Sequence, residues 1–193
     1  YDPPRITAVS PGAGSTRGSL NMSYVVTILG VNFGASNHSG AIQEASIGGS
    51  VCSTVYWSDT GVACYVAAGT GQSKPASIAV RVNTPSGDQA VTAASMFTYN
   101  APTIASVSPT NMPTAASRTL VITGSNFGAD LNKITVFVGS TTCTPVSVSS
   151  SHDIVSCSVG AGTGRDYSIG LSVDGQASSS GALFKYDAPN VTA

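Results

Sequence analysis

Charge is what this chain has least of. Lys and Arg number 8 and Asp and Glu 9, so charged residues fill 9% of its 193 positions, against roughly a quarter in typical globular domains. The net charge is −1. Binding to a phosphate backbone is mostly charge neutralisation, so nucleic acid is not an expected partner. Electrostatic attachment to a membrane surface is disfavoured for the same reason. No apolar run reaches the roughly 18 residues that a membrane-spanning helix needs, so no direct membrane insertion is expected of this segment. No stretch carries the pattern of a three-turn helix. No signal peptide is visible at Tyr1, which in a fragment or mature chain says nothing about secretion.

Catalytic groups are equally sparse. The acidic residues are scattered, and no close pair recurs in a way that suggests general acid and base work. His152 and Asp153 are neighbours, and adjacent residues of a strand point to opposite sides. No serine stands in a G-x-S-x-G context. The two histidines, His38 and His152, have no ligand set around them, and the cysteines lack C-x-x-C knuckle spacing. His152 reads as a surface residue. The expectation is a protein that is not an enzyme, with no cofactor and no metal.

What the chain does have is a repeat at domain scale. Tyr1-Asp2-Pro3-Pro4 is answered by Tyr99-Asn100-Ala101-Pro102 and by Tyr186-Asp187-Ala188-Pro189. Val9-Ser10-Pro11 is answered by Val107-Ser108-Pro109, and Gly30-Val31-Asn32-Phe33-Gly34 by Gly124-Ser125-Asn126-Phe127-Gly128. Cys52 matches Cys143, Cys64 matches Cys157, Gly69-Thr70-Gly71 matches Gly162-Thr163-Gly164, and Phe97-Thr98-Tyr99 matches Phe184-Lys185-Tyr186. Residues 1–100 therefore read as one module and 101–188 as a second. Residues 189–193 read as the start of a further repeat, so the chain looks like a window on a longer array. The Tyr-x-x-Pro junctions contain no Gly/Ser spacer, and proline restricts both itself and its predecessor. A short, semi-rigid hinge and an extended arrangement follow.

Within each module period-two alternation dominates. Ala76, Ile78, Val80 and Val82 share one side of a strand, with Ser77, Ala79, Arg81 and Asn83 on the other. Ile134, Val136 and Val138 make one inward row of the second module, and Ile169, Leu171 and Val173 another. Tyr24 to Leu29 and Thr119 to Thr123 are β-branched-rich runs. These are strands with one buried face. Asn83 to Asp88 and Asp174-Gly175-Gln176 are turn signals at matching places. Short strands so spaced read as a sandwich.

The Gly-x-Asn-Phe-Gly runs carry a structural reading. Gly30, Gly34, Gly124 and Gly128 allow positive φ, while Asn32 and Asn126 can bond their own local backbone. Phe33 and Phe127 then turn back to plug the end of the core. A phosphate-loop reading lacks the strand-to-helix context it needs.

Four cysteines allow three complete pairings. Duplication favours Cys52 with Cys64 and Cys143 with Cys157, one staple per module; free core cysteines of a cytosolic protein are the alternative. Each bond would close a loop of roughly a dozen residues, worth about 3 kcal/mol in the chain-entropy model. It would also imply an oxidising compartment. Asn21-Met22-Ser23, Asn37-His38-Ser39 and Asn190-Val191-Thr192 fit the N-glycosylation acceptor pattern, which makes Asn21, Asn37 and Asn190 candidate glycan sites.

Tyr56-Trp57 falls inside the Cys52 to Cys64 loop. An exposed aromatic there suits sugar stacking or a protein hot spot. Alternatively, the pair packs against the disulfide. The second module has Val148-Ser149 in roughly that place, so the fold does not demand an aromatic.

The residues taken together resemble tandem IPT/TIG modules. The run is Pro102-x-Ile104-x-x-Val107-Ser108-Pro109, then Leu120 to Gly128, Val136-Phe137-Val138-Gly139, Cys143, Ile154 to Cys157 and Phe184-x-Tyr186. The first module carries it with Ile6, Ser10-Pro11, Ile28 to Gly34, Ile47-Gly48-Gly49, Cys52, Cys64 and Phe97-x-Tyr99. The resemblance implies two all-β, immunoglobulin-like E-set sandwiches, with a disulfide in extracellular members. It also implies use in receptor ectodomains, multi-repeat cell-surface and adhesion proteins, and spacers beside carbohydrate-active enzymes. The branch that contacts DNA is a poor match, because basic clusters are absent.

Two functional expectations result. One is a structural or adhesive repeat of a cell-surface or extracellular filament protein, a rigid spacer whose protein partners include neighbouring copies. The other is a ligand-binding module of a receptor or enzyme-accessory region, with a glycan or protein near Trp57. Three segments longer in the first module than in the second, around Ser15 to Ser23, Asn37 to Glu44 and Ser86 to Ala94, are where a special contact surface is expected.

Overall fold

Alternating inward and outward residues build the core strands of the computed structural model, which describes residues 2–19, 24–36, 41–82, 88–178 and 182–188. The chain forms two compact units, Tyr1–Asn100 and Ala101–Ala193. The first contains β1 (Arg5–Ser10), β2 (Ala13–Gly14), β3 (Val26–Val31), β4 (Ala41–Ile47), β5 (Ser50–Val51), β6 (Ser53–Ser58), β7 (Gly61–Tyr65), β8 (Lys74–Val82) and β9 (Gln89–Tyr99). The second contains β10 (Thr103–Ser108), β11 (Asn111–Met112), β12 (Arg118–Ser125), a short 3₁₀ turn (Leu131–Lys133), β13 (Ile134–Val138), β14 (Thr141–Val148), β15 (Ile154–Val159), β16 (Tyr167–Val173), β17 (Gln176–Ala177) and β18 (Leu183–Tyr186).

The first unit is a sandwich of two sheets, ordered β1-β3-β7-β6 and β2-β9-β8-β4-β5. In the second unit the path runs unbroken as β10-β12-β15-β14-β13-β16-β18-β11, so one sheet nearly closes into a barrel. The difference lies in one strand. β14 pairs with β13 through Thr141 to Cys143 and with β15 through Thr144 to Val148. Its counterpart is interrupted at Cys52, leaving β5 on β4 and β6 on β7. Near its start the chain crosses from one sheet to the other in the first unit, and from one end of the single sheet to the other in the second. It passes a cis Ser-Pro peptide at Ser10-Pro11 or Ser108-Pro109. It then lays β2 parallel to β9, or β11 parallel to β18.

The inward rows make the cores. Ala76 and Ile78 are buried in the first unit, as are Ile134, Val136, Val138, Ile169, Leu171 and Val173 in the second. Asp174 and Gly175 form a two-residue hairpin loop between Val173 and Gln176, both with positive φ (49° and 82°). Residues 83–87 of the matching turn signal lie outside the described residues.

Each core holds a disulfide. Cys52 and Cys64 are joined across a separation of 12 residues, Cys143 and Cys157 across 14, and all four are buried. Cys52 lies between β5 and β6, and Cys143 lies where β14 passes from pairing with β13 to pairing with β15; their partners are in β7 and β15. Opening the second with the double substitution Cys143→Ser, Cys157→Ser should lower the stability of the second unit by about 3 kcal/mol. Denaturant unfolding followed unit by unit should show that loss while the first unit keeps its own transition.

Candidate functional site

The Gly-x-Asn-Phe-Gly runs leave the ends of β3 and β12. Phe33 and Phe127 are fully buried. Gly30 and Gly124 lie over these rings: a Cβ on Gly30 would strike the Phe33 ring and the Arg5 carbonyl, and one on Gly124 the Phe127 ring and the Thr103 carbonyl. Gly34 and Gly128 have positive φ (77° and 69°), and so do the asparagines, at 63° for Asn32 and 60° for Asn126. The asparagines reach beyond their own turn. Asn32 Nδ2 donates to the Pro3 carbonyl at 3.2 Å and Asn126 Nδ2 to the Ala101 carbonyl at 3.4 Å. The left-handed backbone swings the amide towards the segment that enters the unit. The motif is therefore a core plug and a tether for the incoming chain.

The loop beside the plug differs between the units. Phe33 N–H donates to the Asp59 carbonyl at 3.0 Å, and Gly34 N–H to Asp59 Oδ1 at 3.0 Å. In the second unit Phe127 N–H donates to the His152 carbonyl at 2.9 Å. His152 is buried and not a surface residue. It adopts a left-handed φ of 59° in a turn where Asp153 accepts from the Ser149 hydroxyl at 2.8 Å and from Ser151.

Tyr56 and Trp57 separate. Trp57 is only 6% exposed, and its Nε1 donates to the Phe33 carbonyl at 3.0 Å. Its indole belongs to the core and is no stacking platform for a ligand. Tyr56 is 61% exposed. The cause is a bulge in β6, where pairing with β7 shifts between Thr54 and Tyr56. The extra residue, Val55, sets Tyr56 opposite Ala63 on the outer face and Trp57 opposite Val62 on the inner one. By register Val148 occupies the place of Trp57.

A further pair of tethers carries no signal of its own beyond the matched Gly-Thr-Gly and Phe-x-Tyr runs. Tyr99 Oη donates to the Ala67 carbonyl at 2.8 Å and Tyr186 Oη to the Gly160 carbonyl at 2.9 Å. Gly69 and Gly162 have no room for a Cβ, because these tyrosine rings cover them. Each tyrosine meets the preceding phenylalanine edge-on, with ring centroids 5.2 Å apart.

Asn21, Asn37 and Asn190 lie outside the described residues. Among the described residues, no group of three or more His, Cys, Asp or Glu side chains could hold a metal ion, and no helix is long and apolar enough to cross a membrane.

A model of the IPT/TIG domain matches the chain twice, over residues 4–99 and 102–186. No curated protein matches it significantly. Among solved structures, the extracellular region of plexin A4 shares 22% identity at a TM-score of 0.45, covering 95% of this chain and 18% of that one. SGBP-B from a xyloglucan utilization locus of Bacteroides uniformis shares 18% at a TM-score of 0.37, covering 92% of this chain and 48% of that one. A tandem of titin Ig domains shares 8% at a TM-score of 0.40, covering 96% of each chain. The chain thus spans less than a fifth of the plexin region it matches.

Two outcomes test this geometry. Trp57, the only tryptophan, should fluoresce at short wavelength and resist iodide quenching. Trp57→Phe should cost about 1–3 kcal/mol by leaving the Phe33 carbonyl unpaired. Burial, with the Tyr24 phenol adding to the effect, pushes the Tyr99 hydroxyl up from 10.0 to about 12. Between those values the folded chain holds a proton that the unfolded chain has released. The contribution of Tyr99 is therefore complete below pH 10.0, falls as pH rises, and is lost through about pH 12. Denaturant titrations across that window, beside a Tyr99→Phe variant, check the sign.

Proposed function

The chain belongs to the IPT/TIG domain family, whose immunoglobulin-like repeats serve protein contact and adhesion, and we propose that its two units are structural and adhesive repeats of an extracellular or cell-surface protein, acting as a short-jointed spacer that carries a contact surface. Two buried disulfides suit an oxidising setting. Catalysis forms no part of this role. Glycans on Asn21, Asn37 and Asn190 belong to the same reading.

The observation that carries the spacer is at the junction. Tyr99 N–H donates to the Gly71 carbonyl, and Asn100 N–H to the Gly14 carbonyl, both inside the first unit. The carbonyl of the following residue, Ala101, accepts from Asn126 inside the second. Successive residues are thus bonded within different units, which supports a short joint. Each unit repeats the arrangement at its other end: Pro3 is tied by Asn32, and Asp187 N–H donates to the Met112 carbonyl.

Spin labels placed one on each unit should give a narrow distance distribution. Four Gly/Ser residues inserted between Asn100 and Ala101 should broaden it severalfold. A distribution in the unaltered chain as broad as that of the insertion variant would remove the spacer reading.

A further inference from the structure

The two tyrosines that end β9 and β18 are not equally covered. Tyr99 is 3% exposed, and the Tyr24 phenol, over Gly14, lies beside it. Tyr186 is only partly buried. Two residues before the matched pair Val26 and Leu120, the second unit has the exposed Arg118 where the first has Tyr24. A cavity of about 240 Å³ reaches Tyr186, between the β13–β14 hairpin and the loop after β15. Tyr167 lines it as well, with its ring at 86° to that of Tyr186 and the centroids 6.1 Å apart. Register puts Lys74 of the first unit in the place of Tyr167, Val51 in that of Thr142 and Tyr65 in that of Ser158. The fold therefore does not require this tyrosine corner.

The lining decides what the cavity can hold. None of its residues carries a charge, so an ionised phosphate, carboxylate or amine would enter without a partner. Arg165 and Asp166, just before Tyr167, are paired with each other at 2.9 Å. A purely apolar guest is no better served, because Thr141, Thr142, Ser158 and Thr163 bring four hydroxyls to the lining. Both phenols have already committed their protons. Tyr167 Oη donates to the Thr163 carbonyl at 2.6 Å and Tyr186 Oη to the Gly160 carbonyl at 2.9 Å. Their oxygens are left as acceptors, which call for O–H donors on the guest. The rings, Val138 and Val159 call for an apolar face. Neutral charge, several hydroxyls and one apolar face together describe a sugar ring. The volume falls below the roughly 300–1,000 Å³ of pockets for drug-sized ligands, so it suits one ring and not a row of them. Thr141, Thr142 and Ala161 at the rim are exposed, which leaves a way out for the rest of a chain. We propose that this corner of the second unit binds a single neutral sugar ring at the end of a glycan chain. Tyr167 is its stacking wall, and the two phenol oxygens accept from its hydroxyls. This binding goes beyond the spacer role and does not depend on it.

Proton–nitrogen correlation spectra of the 193-residue chain test this. The probes are the methyl glycosides of glucose, galactose, mannose, xylose and N-acetylglucosamine, whose methyl group stands in for the attached chain. At least one, titrated to about 100 mM, should move the amides of residues 141–143, 158–163 and 167 to saturation. Tyr167→Lys and Ser158→Tyr each install the residue that the first unit carries in the same register, so the fold accommodates both. Each should weaken binding by about tenfold or more while the amides of the first unit keep their positions. The proposal is overturned if none of these glycosides gives saturable shifts at the cavity, or if the shifts survive both substitutions at full strength. Either result leaves the spin-label distances unmoved, and a broad distance distribution would leave the sugar titrations unmoved, so the two readings fail separately.

Discussion

A phenylalanine ring lies beneath a glycine in each unit, and no other residue could stand in that glycine's place. At Gly30 a single added carbon would meet both the Phe33 ring and the carbonyl of the strand alongside. Much of each unit follows from that fit. The buried ring fixes the turn after β3 or β12, and the turn supplies main-chain donors to the loop between the next pair of strands. In the first unit its carbonyl also receives the Trp57 indole. The left-handed asparagine between glycine and phenylalanine then reaches out to the incoming chain. Core, loop and junction are set by five consecutive residues.

Much of this could be read from the residues alone. Rows such as Ile169, Leu171 and Val173 declare a buried face by alternation, and duplicated motifs declare two units. What alternation could not supply was the register of β6. Tyr56 and Trp57 are adjacent aromatics, and either could face inward. One bulged residue, Val55, decides the matter, and nothing in the local composition marks it. His152 hid for a similar reason, since a left-handed turn carries it into the interior and no period describes a turn. The asparagine tethers join positions far apart in sequence, Asn32 to Pro3 for example. A motif seen in isolation suggests only local bonds.

The two repeats also show what the fold leaves open. Some inward positions keep size and polarity, as with Ile28 and Ile122 or Cys64 and Cys157. The space of Trp57 is served by Val148, and the neighbouring loop is rebuilt around a buried histidine and a serine-aspartate cluster. Outward positions drift further, from tyrosine and leucine to serine and threonine. A repeat chain can in this way keep one packing solution and present different faces along its length.

The parallel pairing of each unit's early and last strands has a mechanical side. β2 lies alongside β9, and β11 alongside β18, with their ends pointing the same way. Tension entering at one end of a unit and leaving at the other drags such strands past each other. The hydrogen bonds between them then share the load together and do not open one after another. A chain tethered at both ends would bring these short clamps under load as a pull passes inward from β1 or β10.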